Sequence, residues 1–428
     1  MTAIKQKPGL YNIVVTHYVL AACCFLILSV MMLLSVKAFT GHYFHPHILA
    51  VTHLAALGWG TMIILGASYQ LIPVVLETNL YSIKLAWLSF VLFVPGMAGL
   101  IYSFWVFVPG IHMQCSAILL LLSIVLFTVN VFLTGRKKQQ QTIQEDFIFS
   151  ACICLCLTVA LGVALVFNFT LQLFPQDQLH FLRIHAHMGL VGWFLLMLIG
   201  VSSRLVPMFL VSSYQETRLL TWSYYLIVGA LLCFLVDAYF SGLSNRNYLL
   251  LLVGGAGLSC YFIFLYKCLR SRLRKQIDLP MLISFLSFII LKIAVLMVPF
   301  IIYFHLKHNP ATLRFSMAYG QLMFMGWITP LILGQTFKTL PFIVWLRHYE
   351  HLTGKFRTPM PSDLFAGHLL KAQTIAFGIF CLTFMPGCYF MFIPLIYTGG
   401  AALVITALLY LANVGIVIFH KTRTYGQL

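Results

Sequence analysis

One frame, Gly-Trp followed by Gly and then Pro, stands three times in the chain at a fixed interval: Gly58-Trp59…Gly66…Pro73, Gly192-Trp193…Gly200…Pro207 and Gly326-Trp327…Gly334…Pro341. The steps are 193 − 59 = 134 and 327 − 193 = 134. A repeat of that length implies one architecture made of three related units, not three domains that fold alone. Within each copy the glycines are eight residues apart, about 80° round a helix, so both line one side and let a neighbouring helix approach. The proline is expected at the end of its helix, where a missing amide donor is tolerated.

Composition decides the solvent in which such helices fold. Hydrophobic residues are 61% of the chain and charged ones 8%, against roughly 45–50% and about 25% in soluble domains. A spanning helix needs about 20 mostly apolar residues. Twelve stretches qualify, near 13–36, 47–75, 85–107, 114–134, 147–170, 185–211, 221–241, 247–268, 280–304, 315–341, 371–389 and 391–419. The expected fold is therefore all-α and integral to the membrane, a single membrane domain over 1–428 with pseudo-symmetric four-helix repeats at about 1–146, 147–280 and 281–428. The first apolar run, after Lys5 and Lys7, exceeds a 7–15-residue signal core and lacks a cleavage signature, so it reads as a retained helix. Past Pro341 the polar stretch 347–370 breaks the period; with His348, Glu350, His351, Lys355, Arg357 and Asp363 it reads as a solvated loop, with a docking or regulatory segment as the alternative.

Basic loop residues set the expected orientation. The segments after even-numbered helices and the C-terminus carry Lys84, Arg136, Lys137, Lys138, Arg218, Arg270, Arg272, Arg274, Lys275, Arg347, Lys355, Arg357, Lys421 and Arg423, whereas the other side holds Lys37, Arg183, Arg246, Lys307 and Arg314. The positive-inside rule then places both termini in the cytoplasm. A net charge of +17 spread over short loops beside spans reflects topology and membrane lipid, and argues against nucleic acid as a partner. The eleven cysteines form no C-x-x-C pair, and Cys152, Cys154 and Cys156 read as small core residues.

Histidines carry the chemistry. His53 and His187 each stand five residues before a Gly-Trp pair, and the third copy has Gln321 there. Ionisable groups inside a membrane are costly and usually face a bundle interior or cavity, and a neutral imidazole lone pair suits iron and copper. Two such groups at one depth on different helices make a credible axial pair for a haem. His185 and His187 are two positions apart and point in nearly opposite directions, so one helix can serve two inter-helix spaces; the third repeat offers Tyr319 and Gln321. His45 and His47, beside His42 or His185, read either as a copper site or as a His-Pro-His cluster at a helix start.

Other polar residues divide between scaffold and site. His17 reads as structural, and His305 and His308 as rim residues or a further metal contact. His180, Arg183 and Arg314 stand where haem propionates could be held through charge-assisted bonds. Gln70, Arg204 and Lys338 recur three places before the prolines and read as snorkelling side chains or a proton entrance, with Lys292 and Asp237 as further proton-route or propionate candidates.

Residues 185–207, His-Ala-His-x4-Gly-Trp-x6-Gly-x6-Pro, resemble the haem-ligand helix of subunit I in the haem–copper oxidases, particularly the cbb-type cytochrome oxidases and the related nitric oxide reductases. Residues 53–73 look like the same helix with only one histidine. The resemblance extends to twelve helices in three groups of four. It implies one or two b-type haems held by His53, His185 and His187, copper as a further cofactor, and a cytochrome c or quinol electron donor. It also implies other respiratory subunits as partners and a place in the bacterial inner membrane. Two departures matter: the H-x-H lies in the second repeat where the family has it in the third, and 221–241 has no histidine for the oxygen-reducing copper centre. The arrangement is also similar to NnrS-type membrane haem–copper proteins associated with nitric oxide tolerance. A twelve-helix transporter using its histidines for a cation or proton fits the same spans.

Overall fold

The computed structural model describes residues 9–136, 141–422 and 425–427; the loop cations Lys5, Lys7, Lys137, Lys138 and Arg423 lie outside the described residues. Twelve long helices follow in order: helix one Leu10–Leu34, two Pro46–Val75, three Ile83–Val106, four Ile111–Gly135, five Ile143–Leu171, six Gln178–Leu210, seven Arg218–Phe240, eight Arg246–Arg270, nine Leu279–Leu306, ten 311–349, eleven Gly367–Phe390 and twelve Ile393–Ile418. All except helix ten are long and apolar enough to cross a membrane, eleven among the described residues. Helix ten contains the expected span 315–341, but Arg314, Gln321, Gln335 and Lys338 dilute it. Helices dominate because hydrocarbon cannot solvate backbone amides, so each segment must pair its own.

Each of the three signature helices changes gait at the same place. Leu54–Thr61, Met188–Leu195 and Leu322–Ile328 are π-helical, and their starts are separated by 188 − 54 = 134 and 322 − 188 = 134 residues. A π turn bonds five residues along instead of four and holds an extra residue, a cost that helices usually bear at functional positions. The Gly-Trp pairs sit inside these stretches, with Trp59, Trp193 and Trp327 fully buried. His53, His187 and Gln321 each occupy the last α-helical position ahead of one.

The chain packs as two compact units. One gathers 69–277 and 298–312, the other 7–68, 278–297 and 313–428. In both, the second glycine of the frame marks a close helix approach. A methyl group on Gly200 would stand 2.9 Å from the Phe147 Cβ of helix five, one on Gly334 only 2.5 Å from the Pro280 carbonyl oxygen of helix nine, and one on Gly66 closer still to the His17 Cβ of helix one. In the second unit, helix ten also carries a line of buried hydroxyls. Thr329 accepts from the Trp59 indole at 3.1 Å, while Thr336 pairs with the Tyr410 hydroxyl at 3.0 Å and Thr339 with that of Tyr18 at 2.8 Å.

Two expectations change here. Pro341 does not end its helix, which runs on to Tyr349, although Pro207 and Pro73 lie within three residues of their helix ends. The stretch 347–370 is also less of a free loop than its polarity suggests. Its strand Phe356–Arg357 pairs antiparallel with Tyr425–Gln427, His348 Nδ1 lies 2.9 Å from the Thr422 hydroxyl, and the Tyr349 hydroxyl lies 2.7 Å from His420 Nε2.

This strap has a pH dependence of definite sign. Lost solvation first, then the Arg347 and His351 charges, hold the His348 imidazole below its ordinary value. A depressed folded value means that the released state takes the proton first, so the attachment is complete above pH about 6.5 and is lost as pH falls through the lower folded value. Hydrogen exchange at 420–422, corrected for intrinsic rate, is expected to quicken between pH about 7.5 and about 5. Protection that does not change over that range would exclude His348 as the titrating group.

Candidate functional site

Helix six is seated by apolar contacts before its histidines begin. Phe181 and Ile184 are buried against Leu165 of helix five and Ala238 of helix seven, with Leu161, Phe174, Phe234 and Leu235 packed round them. The two-residue step then sends the imidazoles to different neighbours. His185 Nδ1 lies 3.0 Å from the Thr158 carbonyl oxygen of helix five, and its ring occupies room left by Gly162, where a Cβ would come within 3.0 Å of it. His187 lies against Phe234 of helix seven, ring centres 4.8 Å apart, and its Nδ1 is 3.0 Å from the Arg183 carbonyl oxygen.

In the other unit His53 repeats the His187 arrangement, with Nδ1 2.8 Å from the carbonyl oxygen of Leu49, four residues back. A carbonyl oxygen only accepts, so the proton is on Nδ1 at His53, His185 and His187. The neutral ring then carries its lone pair on Nε2, the tautomer that metal-ligating histidines commonly adopt. All three side chains keep some accessible surface. His17 makes the same bond to Ile13 at 2.7 Å but is fully buried beneath Gly66. The bond alone does not mark a ligand; bond, accessibility and register together separate His53 and His187 from His17.

His42 and His45 have the opposite polarity. The amide of Phe44 donates to His42 Nδ1 at 3.0 Å, and that of His47 donates to His45 Nδ1 at 3.2 Å, capping the start of helix two ahead of Pro46. Their neutral rings carry the proton on Nε2, so the lone pair is spent on the backbone. His45 and His47 stand edge to face, 5.2 Å between centres. Among the described residues no group of three His, Cys, Asp or Glu side chains is placed to hold a metal ion. The His45 contact at the start of helix two fits the helix-start reading, and copper at His45 and His47 is left as a proposal.

The remaining polar candidates find specific places. Arg183 is near enough to His305 to act on it electrostatically, which brings the end of helix nine close to the start of helix six. His308 closes helix nine in a left-handed conformation (φ 50°). His180 Nε2 lies 3.1 Å from the Tyr239 carbonyl oxygen, and Asp237 accepts from Ser244 at 3.4 Å and Arg246 at 3.3 Å, so both secure local turns. Lys292 is exposed on helix nine. Arg314 reaches Met391 Sδ at 3.9 Å.

Arg204 and Lys338 form ion pairs where snorkelling was expected. Arg204 meets Glu77 at 2.7 Å with both partners well exposed, and Lys338 meets Asp278 at 2.6 Å with side chains only 13% and 29% exposed. Exposed pairs contribute about 0–1 kcal/mol, and breaking buried ones costs about 3–5. Asp278→Asn is therefore expected to lower stability by about 1–3 kcal/mol and Glu77→Gln by less than about 1. Thermal melts of the two purified variants check the order; equal losses would contradict it.

Thr158, Gly162 and Phe234, which orient the histidines, carry no motif. Only proximity of helices five, six and seven reveals them.

No family model matches this chain, and no curated protein does. Among solved structures it is similar to a haem–copper terminal oxidase determined as a dimer by cryo-electron microscopy, with 13% identity, a TM-score of 0.72, and 98% of this chain and 86% of that one covered. At that identity the likeness concerns the fold: this chain has a haem–copper oxidase-like fold.

Proposed function

We propose that this multi-pass membrane protein binds b-type haem through His53, His185 and His187. It would work in respiratory electron transfer or in the chemistry of oxygen or nitric oxide at a bacterial inner membrane. The observation that carries the reading is a coincidence of three features at two positions 134 residues apart: an accessible imidazole, an Nδ1–H bond to the carbonyl four residues back, and a π-helical stretch directly after it. The shared position of the three π stretches supports an origin in three four-helix repeats. Arg183 supplies cationic charge suited to propionates.

The donor set fits a haem: neutral imidazoles held in the Nε2 lone-pair tautomer, one of them in a space that a Cβ at Gly162 would fill. When bound, the group supplies reversible one-electron chemistry whose potential follows from ligand identity and burial. The chain's own contribution is orientation, since each Nδ1–H bond fixes ring rotation and raises donor basicity. A cytochrome c or quinol donor and other respiratory subunits belong to this reading as partners. Copper at His45 and His47 remains part of the proposal.

Spectroscopy of the purified chain after haem-replete expression tests the proposal. Soret and α bands with stoichiometric haem are expected. A colourless protein showing histidine-dependent cation flux would replace this reading with a transporter.

A further inference from the structure

Helices six and eight end beside one another in a basic corner. From Lys267 to Lys275 the chain carries five cations, Lys267, Arg270, Arg272, Arg274 and Lys275, and no carboxylate. The facing segment after helix six, 211–217, adds one acidic residue, the exposed Glu216. All of these residues lie within one unit, that of 69–277 and 298–312. Topology accounts for cations at the end of a spanning helix, but it does not require them to be held in place, and here several are.

The two segments are clasped. The Leu273 amide donates to the Val211 carbonyl oxygen at 3.1 Å, the Ser213 amide to that of Ser271 at 3.3 Å, and the Ser212 and Ser271 hydroxyls lie 2.7 Å apart. Arg272 is fixed on this frame: one Nη donates to the Leu269 carbonyl oxygen at 2.7 Å, while its Nε is buried and has no acceptor. Lys267 stands over the Tyr214 ring at 5.4 Å and Arg270 over the Tyr266 ring at 5.9 Å. A ring orients a cation without neutralising it, and among the described residues no carboxylate pairs with Lys267, Arg270 or Arg272. Donors already held lose little freedom when an anion arrives.

The surroundings narrow the class of anion. Leu273 is 73% exposed in the middle of the basic run, and Ile263 and Tyr266 on the last turns of helix eight are exposed as well. Helix eight is long and apolar enough to cross a membrane, so its end stands where acyl chains give way to head groups. A soluble nucleotide or an acidic protein surface would gain nothing from Ile263 and Leu273. A lipid brings chains for them, and its phosphate oxygens accept directional bonds from guanidinium groups.

We propose that this clasp is a binding site for an anionic phospholipid, its phosphate held at Arg270 and Arg272 with Lys267 beside them, and its acyl chains along Ile263 and Tyr266. The site stands at the opposite end of helix six from His185 and His187 and does not depend on haem.

Native mass spectrometry of the full-length protein in detergent, titrated with phosphatidylglycerol or phosphatidylcholine, tests this. Saturable retention of phosphatidylglycerol is expected, at least about tenfold tighter than that of phosphatidylcholine, a tenfold change being 1.4 kcal/mol. Arg270→Gln with Arg272→Gln should weaken it about tenfold or more. Arg270→Gln alone, at a side chain whose described contact is the Tyr266 ring, should weaken it severalfold and decides the matter if melting curves show the double variant unfolded. Lys84→Gln with Lys355→Gln removes the same charge at exposed positions elsewhere and should leave retention unchanged. Equal weakening by that control pair would overturn the proposal in favour of diffuse charge. Equal affinity for the two lipids would also overturn it, as would displacement of the lipid by equimolar inorganic phosphate, which would mark a site for free anions.

Discussion

On the proposed haem ligation, purified His187→Ala is expected to keep less than about a tenth of the wild-type haem, because no other group replaces the lost imidazole. His53→Ala should behave alike, while His17→Ala should retain haem and lose stability through the cavity it leaves under Gly66. That contrast is informative because all three histidines make the same bond to the carbonyl four residues back. A pyridine haemochrome assay on protein that still elutes as a folded species provides the measurement. Unchanged haem in both His53→Ala and His187→Ala would sink the proposed ligands.

Gly334→Val is expected to cost about 3 kcal/mol or more, beyond what ordinary overpacking costs, because the obstacle is backbone. Its Cβ would meet the Pro280 carbonyl oxygen at 2.5 Å and the Ser284 hydroxyl at 2.9 Å. The nearer of the two is backbone, so helix nine would have to move away from helix ten. The control is Gly229→Val on helix seven, where nothing lies within 4 Å of the new atom and stability should hardly change. Melting curves in detergent compare the pair; a Gly334→Val protein as stable as Gly229→Val would mean that the close approach is not tight.

What could be read from residues alone was whatever depends on period and polarity. The spans, the frame that fixes helix register and the divergence of His185 from His187 follow from apolar run length and helical pitch. Helix ten was read among the twelve apolar stretches, although Gln321, Gln335 and Lys338 leave it less apolar than the other eleven. Its continuation past Pro341 was not legible, since a proline tolerated inside a helix leaves no local sign that neighbouring segments support it. Tautomers were equally hidden: His45 and His53 look alike in composition, but one accepts from an amide and the other donates to a carbonyl. The partners of Arg204 and Lys338 could not be found either, because Glu77 and Asp278 are distant in sequence.

The three π stretches act as one-residue shims. Each separates a helix half that carries His53, His187 or Gln321 from a half that carries the packing glycine and the proline, and the extra residue turns one half against the other by about 100°. Removing one residue there would restore ordinary helical bonding with no amide left unpaired, yet would swing the ligand position away from its neighbours while the glycine stayed seated. The glycine contacts and the chemistry of the preceding residue are therefore separately adjustable. A single scaffold can accept histidine in two copies and glutamine in the third without repacking its core.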